Sequence, residues 1–239
     1  IDRIDGEYTD KRRFLIFDYC GNFEYFRAHK EGFESRETKT LSENIFGKQV
    51  RLISLLQEND YAEEDYRNWR KVLIDTCLQQ IKALNTELTA VKLKLRYVDK
   101  YKKESAFALL SEGDKGELLQ HIAPLIQVDD TDELAKRFDN FMYGMMLAWA
   151  EHTPVFKYAK KQLCSIASAL EQKVSIPQIK EKLDVIQSIN SDDFWNANDI
   201  LLFEKIREEL RELIKFLDSD AGKEPIITRL TDPIILQQD

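Results

Sequence analysis

The chain has 239 residues, is 43% hydrophobic and 33% charged, and carries a formal net charge of −8. That apolar share is enough for a packed core and excludes an intrinsically disordered chain, and the length allows one large or two small domains. Only 8 Gly and 5 Pro tell against a sandwich or barrel with many tight turns, and the acidic balance tells against a domain that wraps nucleic acid over its whole surface, though a local basic patch is compatible with it.

Residues 1–13 are polar. Phe14, Leu15, Ile16 and Phe17 then form a short continuous apolar run, ended by Asp18 and Gly21, which reads as a strand buried on both faces. Such a strand needs neighbours, and further strand-like runs come only at 226–228 and 234–236. It is therefore expected to lie at the edge of a preceding α/β domain or to pair with the C-terminal segment.

From about residue 41 to 218 the apolar period is 3.6, the helical one. Leu41, Ile45, Val50, Ile53 and Leu56 form one helical face. Asp60 and residues 63–65 place negative charge at a new helix start, where the macrodipole favours it. Trp69, Leu73, Thr76, Cys77, Ile81 and Leu84 continue that helix. Asn85 or Thr86 caps the next, expected to run to about Lys103. Ser111 to Asp114 resembles a capping box, and Pro124 ends the helix that follows. A second such start, at 130–133, opens a long helix through Leu134, Phe138, Phe141, Met142, Met145 and Trp149. Thr153-Pro154 is expected to cap and open another, with Leu163, Ile166 and Leu170 inward. Ile176-Pro177 starts a helix carrying Ile179, Leu183, Ile186 and Ile189, which Ser191 to Asp193 break, leaving Phe194 and Trp195 in a connection. The last helix carries Ile206, Leu210, Leu213, Ile214 and Leu217, and Gly222 and Pro225 terminate it. These apolar faces are wider than a coiled-coil seam. The expected fold is mainly α, a multi-helix globular array with a short β element near the N-terminus and, where the last segment pairs with it, at the C-terminus. Residues 1–36 are the end of a preceding domain or a linker, 37–221 a helical domain, and 222–239 a tail.

The three cysteines, Cys20, Cys77 and Cys164, are widely spaced with no CxxC, so neither a zinc site nor a disulfide framework is indicated and reduced thiols are the default. No apolar run approaches the roughly 20 residues that span a bilayer, and no secretory signal is read. A chain that opens on Ile1 is expected to be a segment of a longer polypeptide.

Catalytic signatures are missing. There is no GxxxxGK[ST], GxGxxG or GxSxG, and His29, His121 and His152 lack ligand spacing. Asp18 followed by Glu37-Thr38-Lys39 mimics the carboxylate pair and lysine of restriction nucleases. Residues 34–40 are polar and lead into a helix rather than a second strand, so this reads as a chance match in a chain one-third charged. Met142, Met145, Met146 and Trp149 read as core. Lys92, Arg96, Lys100 and Lys103 fall at i, i+4, i+8 and i+11 on one face of the expected helix. Such a row is a solvated face, a surface for an acidic partner, or a nucleic-acid contact. Four phosphate contacts would give a salt slope of about −3.6.

Several stretches, in order, resemble one family. FLIFDYCGNFEYF at 14–26 is similar to the segment just after the second RecA-like motor domain in restriction (R) subunits of type I restriction-modification enzymes. LSENIF at 41–46, KLRYVDKY at 94–101, HIAPLI at 121–126, AKRFDNFM at 135–142, IPQIKEKLDVIQSI at 176–189, DDFW at 192–195 and LRELIKFL at 210–217 continue the likeness over roughly residues 12–230. The resemblance implies a parent with a nuclease domain and two DNA-translocating domains that use ATP and Mg²⁺. This C-terminal region would then be a helical part docking onto the methyltransferase (M) and specificity subunits in the prokaryotic cytoplasm. It carries over no catalytic residue and no cofactor to this chain, and DNA would be met through the parent complex. The other reading is a helical accessory domain of a different DNA or RNA helicase, touching nucleic acid directly.

Overall fold

A computed structural model describes residues 39–127, 132–196 and 199–217. The chain divides into two compact units, Ile1–Thr38 and Lys39–Asp239, and all the described residues lie in the second. Eleven α-helices follow one another among them: α1 (Leu41–Leu55), α2 (Glu64–Lys82), α3 (Thr89–Lys92), α4 (Leu95–Tyr101), α5 (Glu112–Glu117), α6 (Glu133–Ala150), α7 (Phe156–Glu171), α8 (Pro177–Glu181), α9 (Leu183–Ser188), α10 (Asp192–Asn196) and α11 (Ile200–Arg211). The mainly α, globular array expected from the 3.6 period is the observed one. The strand candidates at 14–17, 226–228 and 234–236 lie outside the described residues, and no strand occurs among those described.

Two helices are enclosed by the rest. Thr40 caps α1 by accepting from the Glu43 N–H at 3.1 Å. Five consecutive residues of α1, 46–50, are buried, because α6, α2 and the turns at 118–125 surround it. Gly47 marks a close approach: a Cβ there would sit 3.1 Å from Leu119 Cδ2. Burial on all sides takes in Lys48, whose ammonium donates to the Asn140 carbonyl at 2.8 Å and to its side-chain oxygen at 2.6 Å. The other central helix, α6, buries Phe138, Phe141, Met142, Met145 and Met146 against α1, α7 and α11. The methionines expected in the core are there. Each such side chain taken from water contributes roughly 1.5–3 kcal/mol.

Helix ends follow capping chemistry where a side chain is free to supply it. Ser111 accepts from the Asp114 N–H and Asp114 accepts from the Ser111 N–H, both at 3.1 Å, completing the expected capping box. Asp132 accepts from the Ala135 N–H at 2.9 Å. Pro177 stands in the first turn of α8, where its missing N–H leaves no bond unmade.

Four boundaries differ from expectation. Thr153 does not cap α7. Its N–H and hydroxyl both go to the Ala148 carbonyl, at 3.0 and 3.3 Å, with His152 at φ 53°. Thr153 thus belongs to the Schellman-type closure of α6, and α7 begins later, at Phe156, with Val155 before it and no side-chain cap. The helix expected across 176–189 is two, α8 and α9, broken at Lys182 (φ −103°, ψ 13°). Phe194 and Trp195 lie in the short helix α10 rather than a connection, both buried. They pack on each other at a centroid distance of 4.9 Å and with Phe156 and Phe203 at 6.2–6.4 Å. The helix expected from 85 to 103 is also two, α3 and α4.

Candidate functional site

The segment 85–103 holds the sequence's cationic candidates. Lys94 leaves helical geometry at φ −112°, ψ 10°, and its ammonium reaches His121 Nδ1 at 2.9 Å. Tyr97 stacks on the His121 ring at 4.0 Å. Those contacts with the π-helical turn Leu118–Ile122 fold the segment back and part α3 from α4. Val91, Val98 and Tyr101 point into the core. Leu88, Leu93 and Leu95 point out, Leu93 at 78% exposure. Three exposed leucines thus fall within eight residues, alternating in sequence with Lys92, Lys94 and Arg96.

The predicted row Lys92, Arg96, Lys100 and Lys103 does not stand on a single helix. Lys92 ends α3 and pairs with Glu87 at 2.9 Å, with both side chains more than half exposed. Arg96 lies over the Tyr97 ring, 4.4 Å from its centroid. Lys103 follows α4 and is exposed. Lys100 turns inward toward α5, with Asp114 Oδ1 and Glu117 Oε2 each at 2.8 Å, and its ammonium lies 4.7 Å from the Tyr101 ring centroid. The Tyr101 hydroxyl reaches the same two carboxylates at 2.9 and 2.8 Å.

This small network sets its own electrostatics. Hydrogen bonds from Lys100 and Ser111 hold the Asp114 carboxyl far below the usual carboxylate range. Lys100 and Tyr101 lower Glu117. Asp114 and Glu117 in turn raise the Lys100 ammonium, and burial pushes the Tyr101 hydroxyl up. Desolvation and the cations Lys94 and Arg96 keep the His121 imidazole below its ordinary value. The cluster closes on itself and pins α4 to α5.

The other residues singled out by sequence are scattered. Asp18, Cys20, His29 and Glu37 lie outside the described residues. Cys77 is fully buried and its thiol is pushed up by that burial. His152 serves the α6 closure. Among the described residues, no three His, Cys, Asp or Glu side chains converge to hold a metal ion.

A docking domain is expected to expose some apolar residues, but which ones is not legible in the sequence. Positions 88, 91, 95 and 98 step by three and four, so a pattern of types assigns all four to one buried stripe. The break at Lys94 separates them, burying the valines and exposing the leucines.

Comparison of the chain with protein-family models, with curated proteins and with solved structures finds no match. Fold and surface thus define a globular multi-helix array with an amphipathic outer segment. Among the described residues, no helix is long and apolar enough to cross a membrane.

Proposed function

We propose that the helical region is an assembly domain of a type I restriction enzyme's R subunit, docking an ATP-dependent DNA translocase and endonuclease onto its methyltransferase–specificity core. The resemblance in sequence supplies the partner. The observation that carries the docking role is the exposed strip Leu88, Leu93 and Leu95, alternating in sequence with Lys92 and Arg96. Exposed apolar clusters on soluble domains mark interaction surfaces. Leu88, Leu93 and Leu95 are 54%, 78% and 39% exposed, so burying what remains of them contributes about 2.5–5 kcal/mol at the usual value per side chain, comparable with the least cost of association, about 4 kcal/mol. The strip would therefore be the centre of an interface of about 1,600 Å² in total, with the lysine and arginine at its rim. In this reading the domain works in the prokaryotic cytoplasm and holds no cofactor, and ATP and Mg²⁺ serve the motor and nuclease parts of the parent.

The test is co-expression with the methyltransferase and specificity subunits of the same system. The chain is expected to co-elute with them, and Leu93→Asp with Leu95→Asp to abolish co-elution while leaving the far-UV circular dichroism unchanged. A wild-type chain that elutes alone would refute docking. A double variant that still co-elutes would refute this strip as the face. The accessory-helicase reading would place phosphates on Lys92, Arg96, Lys100 and Lys103. It is the weaker of the two, since Asp114 and Glu117 already neutralise Lys100.

A further inference from the structure

A cationic surface that the sequence reading did not single out lies on α7, where Lys157, Lys160 and Lys161 stand. The chain has 43 acidic residues against 35 lysines and arginines, yet no Asp or Glu occurs between Glu151 and Glu171. That interval contains Lys157, Lys160 and Lys161. The two flanking acids are engaged elsewhere: Glu151 pairs with Arg51, and Glu171 accepts from Gln187 Nε2 at 2.8 Å. None of the three lysines has an ion-pair partner among the described residues.

A row of exposed lysines is an ordinary helix surface, and two features set this one apart. Tyr158 lies among the lysines with 63% of its surface exposed, so its ring forgoes burial that the neighbouring aromatics obtain. The Lys160 ammonium lies 4.5 Å from the centroid of the Trp195 ring, which holds one cation in place at the edge of the row. Pro154, Lys157, Tyr158, Lys161 and Ser165 follow one another by steps of three and four residues, or stand adjacent, along one face. Lys157 and Lys161 are one turn apart, about 6 Å along the axis.

We propose that this face of α7 binds single-stranded nucleic acid without sequence preference, with backbone phosphates on Lys157, Lys160 and Lys161 and one base stacked on Tyr158. A positive track beside an exposed aromatic ring is the chemistry such binding uses, since phosphates need cations and every base offers a π-face. The site stands on a different helix from the docking strip and does not rest on the docking role.

The test uses the full 239-residue chain and a fluorescently labelled 20-nucleotide oligo-dT, followed by anisotropy between 25 and 200 mM NaCl. Three phosphate contacts give a slope of log K against log salt of about −2. Lys157→Gln with Lys161→Gln is expected to remove about two-thirds of that slope, and Lys180→Gln, an exposed lysine elsewhere, to leave it unchanged. Tyr158→Ala is expected to weaken binding about 5- to 150-fold, the range for one stacked base, with Tyr158→Phe retaining most of the affinity. Circular dichroism confirms that each variant is folded. Absence of binding at 25 mM NaCl, or a slope unaffected by the double variant, overturns the proposal. So does displacement of the strand by an equal charge of poly-glutamate, which would assign the face to an acidic protein, and so does tighter binding of a duplex of the same length.

Discussion

Asp139→Ala should destabilise this fold far more than the loss of any surface ion pair. Asp139 on α6 and Glu204 on α11 are both buried; Asp139 pairs with two arginines of α11 and shares one of them, Arg207, with Glu204. Asp139 Oδ1 lies 2.7 Å from Arg207 Nη1, and Asp139 Oδ2 lies 2.8 Å from Arg211 Nε. Glu204 grips Arg207 with both oxygens at 2.7 Å, and the Arg207 guanidinium sits 5.1 Å from the Tyr143 ring centroid. Burial works against the Arg207 charge, but Glu204, Tyr143 and Asp139 outweigh it and raise its pKa well above the ordinary value. Removing Asp139 deletes two charge-assisted bonds of about 1.5–3 kcal/mol each. Arg207 keeps Glu204, which holds the loss below the full cost of orphaning a buried charge, about 3–5 kcal/mol. A loss of about 3–4 kcal/mol is expected. With a urea m-value of about 2–3 kcal/mol per molar, the midpoint falls by about 1–2 M. Urea unfolding read by tryptophan fluorescence and far-UV circular dichroism measures it. The control is Glu133→Ala, which removes the exposed pair with Arg137 and should cost about 0.3–0.5 kcal/mol. Replacing the triad with apolar residues (Asp139→Leu, Glu204→Leu, Arg207→Met) should restore much of the stability lost in Asp139→Ala, because no buried charge is then left poorly paired. Equal midpoints for Asp139→Ala and Glu133→Ala would refute the reasoning.

Two further expectations follow from the same packing. Phe203 is fully buried and lies against Trp149, Phe156, Phe194 and Trp195, so Phe203→Ala should cost about 3–5 kcal/mol through lost burial and a residual cavity, seen as a lowered thermal midpoint. Asp114 has a folded-state pKa depressed from its ordinary 3.8 by Lys100 and Ser111. Its contribution is therefore whole above that ordinary value and is lost as pH falls through the folded one. Asp114→Asn should cost about 1–2 kcal/mol at pH 7, and the gap to wild type should narrow as pH drops below about 4, measured by urea titrations at pH 7, 4 and 3.

Much of the fold was legible because helix identity is local. The 3.6 period placed Val50, Ile53, Trp69, Leu73, Cys77, Ile81, Leu163, Ile166, Leu170, Ile206 and Leu210 in the core, and all are buried. The Ser111–Asp114 box and Pro177 are local chemistry and were read correctly. Errors arose where another contact claimed a residue that local pattern had assigned. Thr153 looks like a cap, but it serves the closure of the preceding helix at Ala148, and Lys94 looks like mid-helix until His121 draws it aside. Phe194 and Trp195 look like a linker until the aromatic core encloses them.

The sequence by itself determined the helical class, because a repeat of apolar residues every three or four positions can bury its greasy face in only one regular conformation. Tertiary structure alone decided which charges remain available to a partner, since neutralisation depends on distance in space. Lys100 stands in the richest basic stretch, yet residues 14 and 17 positions away close over it. Lys157 and Lys161 stand on a helix read only for its apolar face, and no carboxylate among the described residues comes within pairing reach.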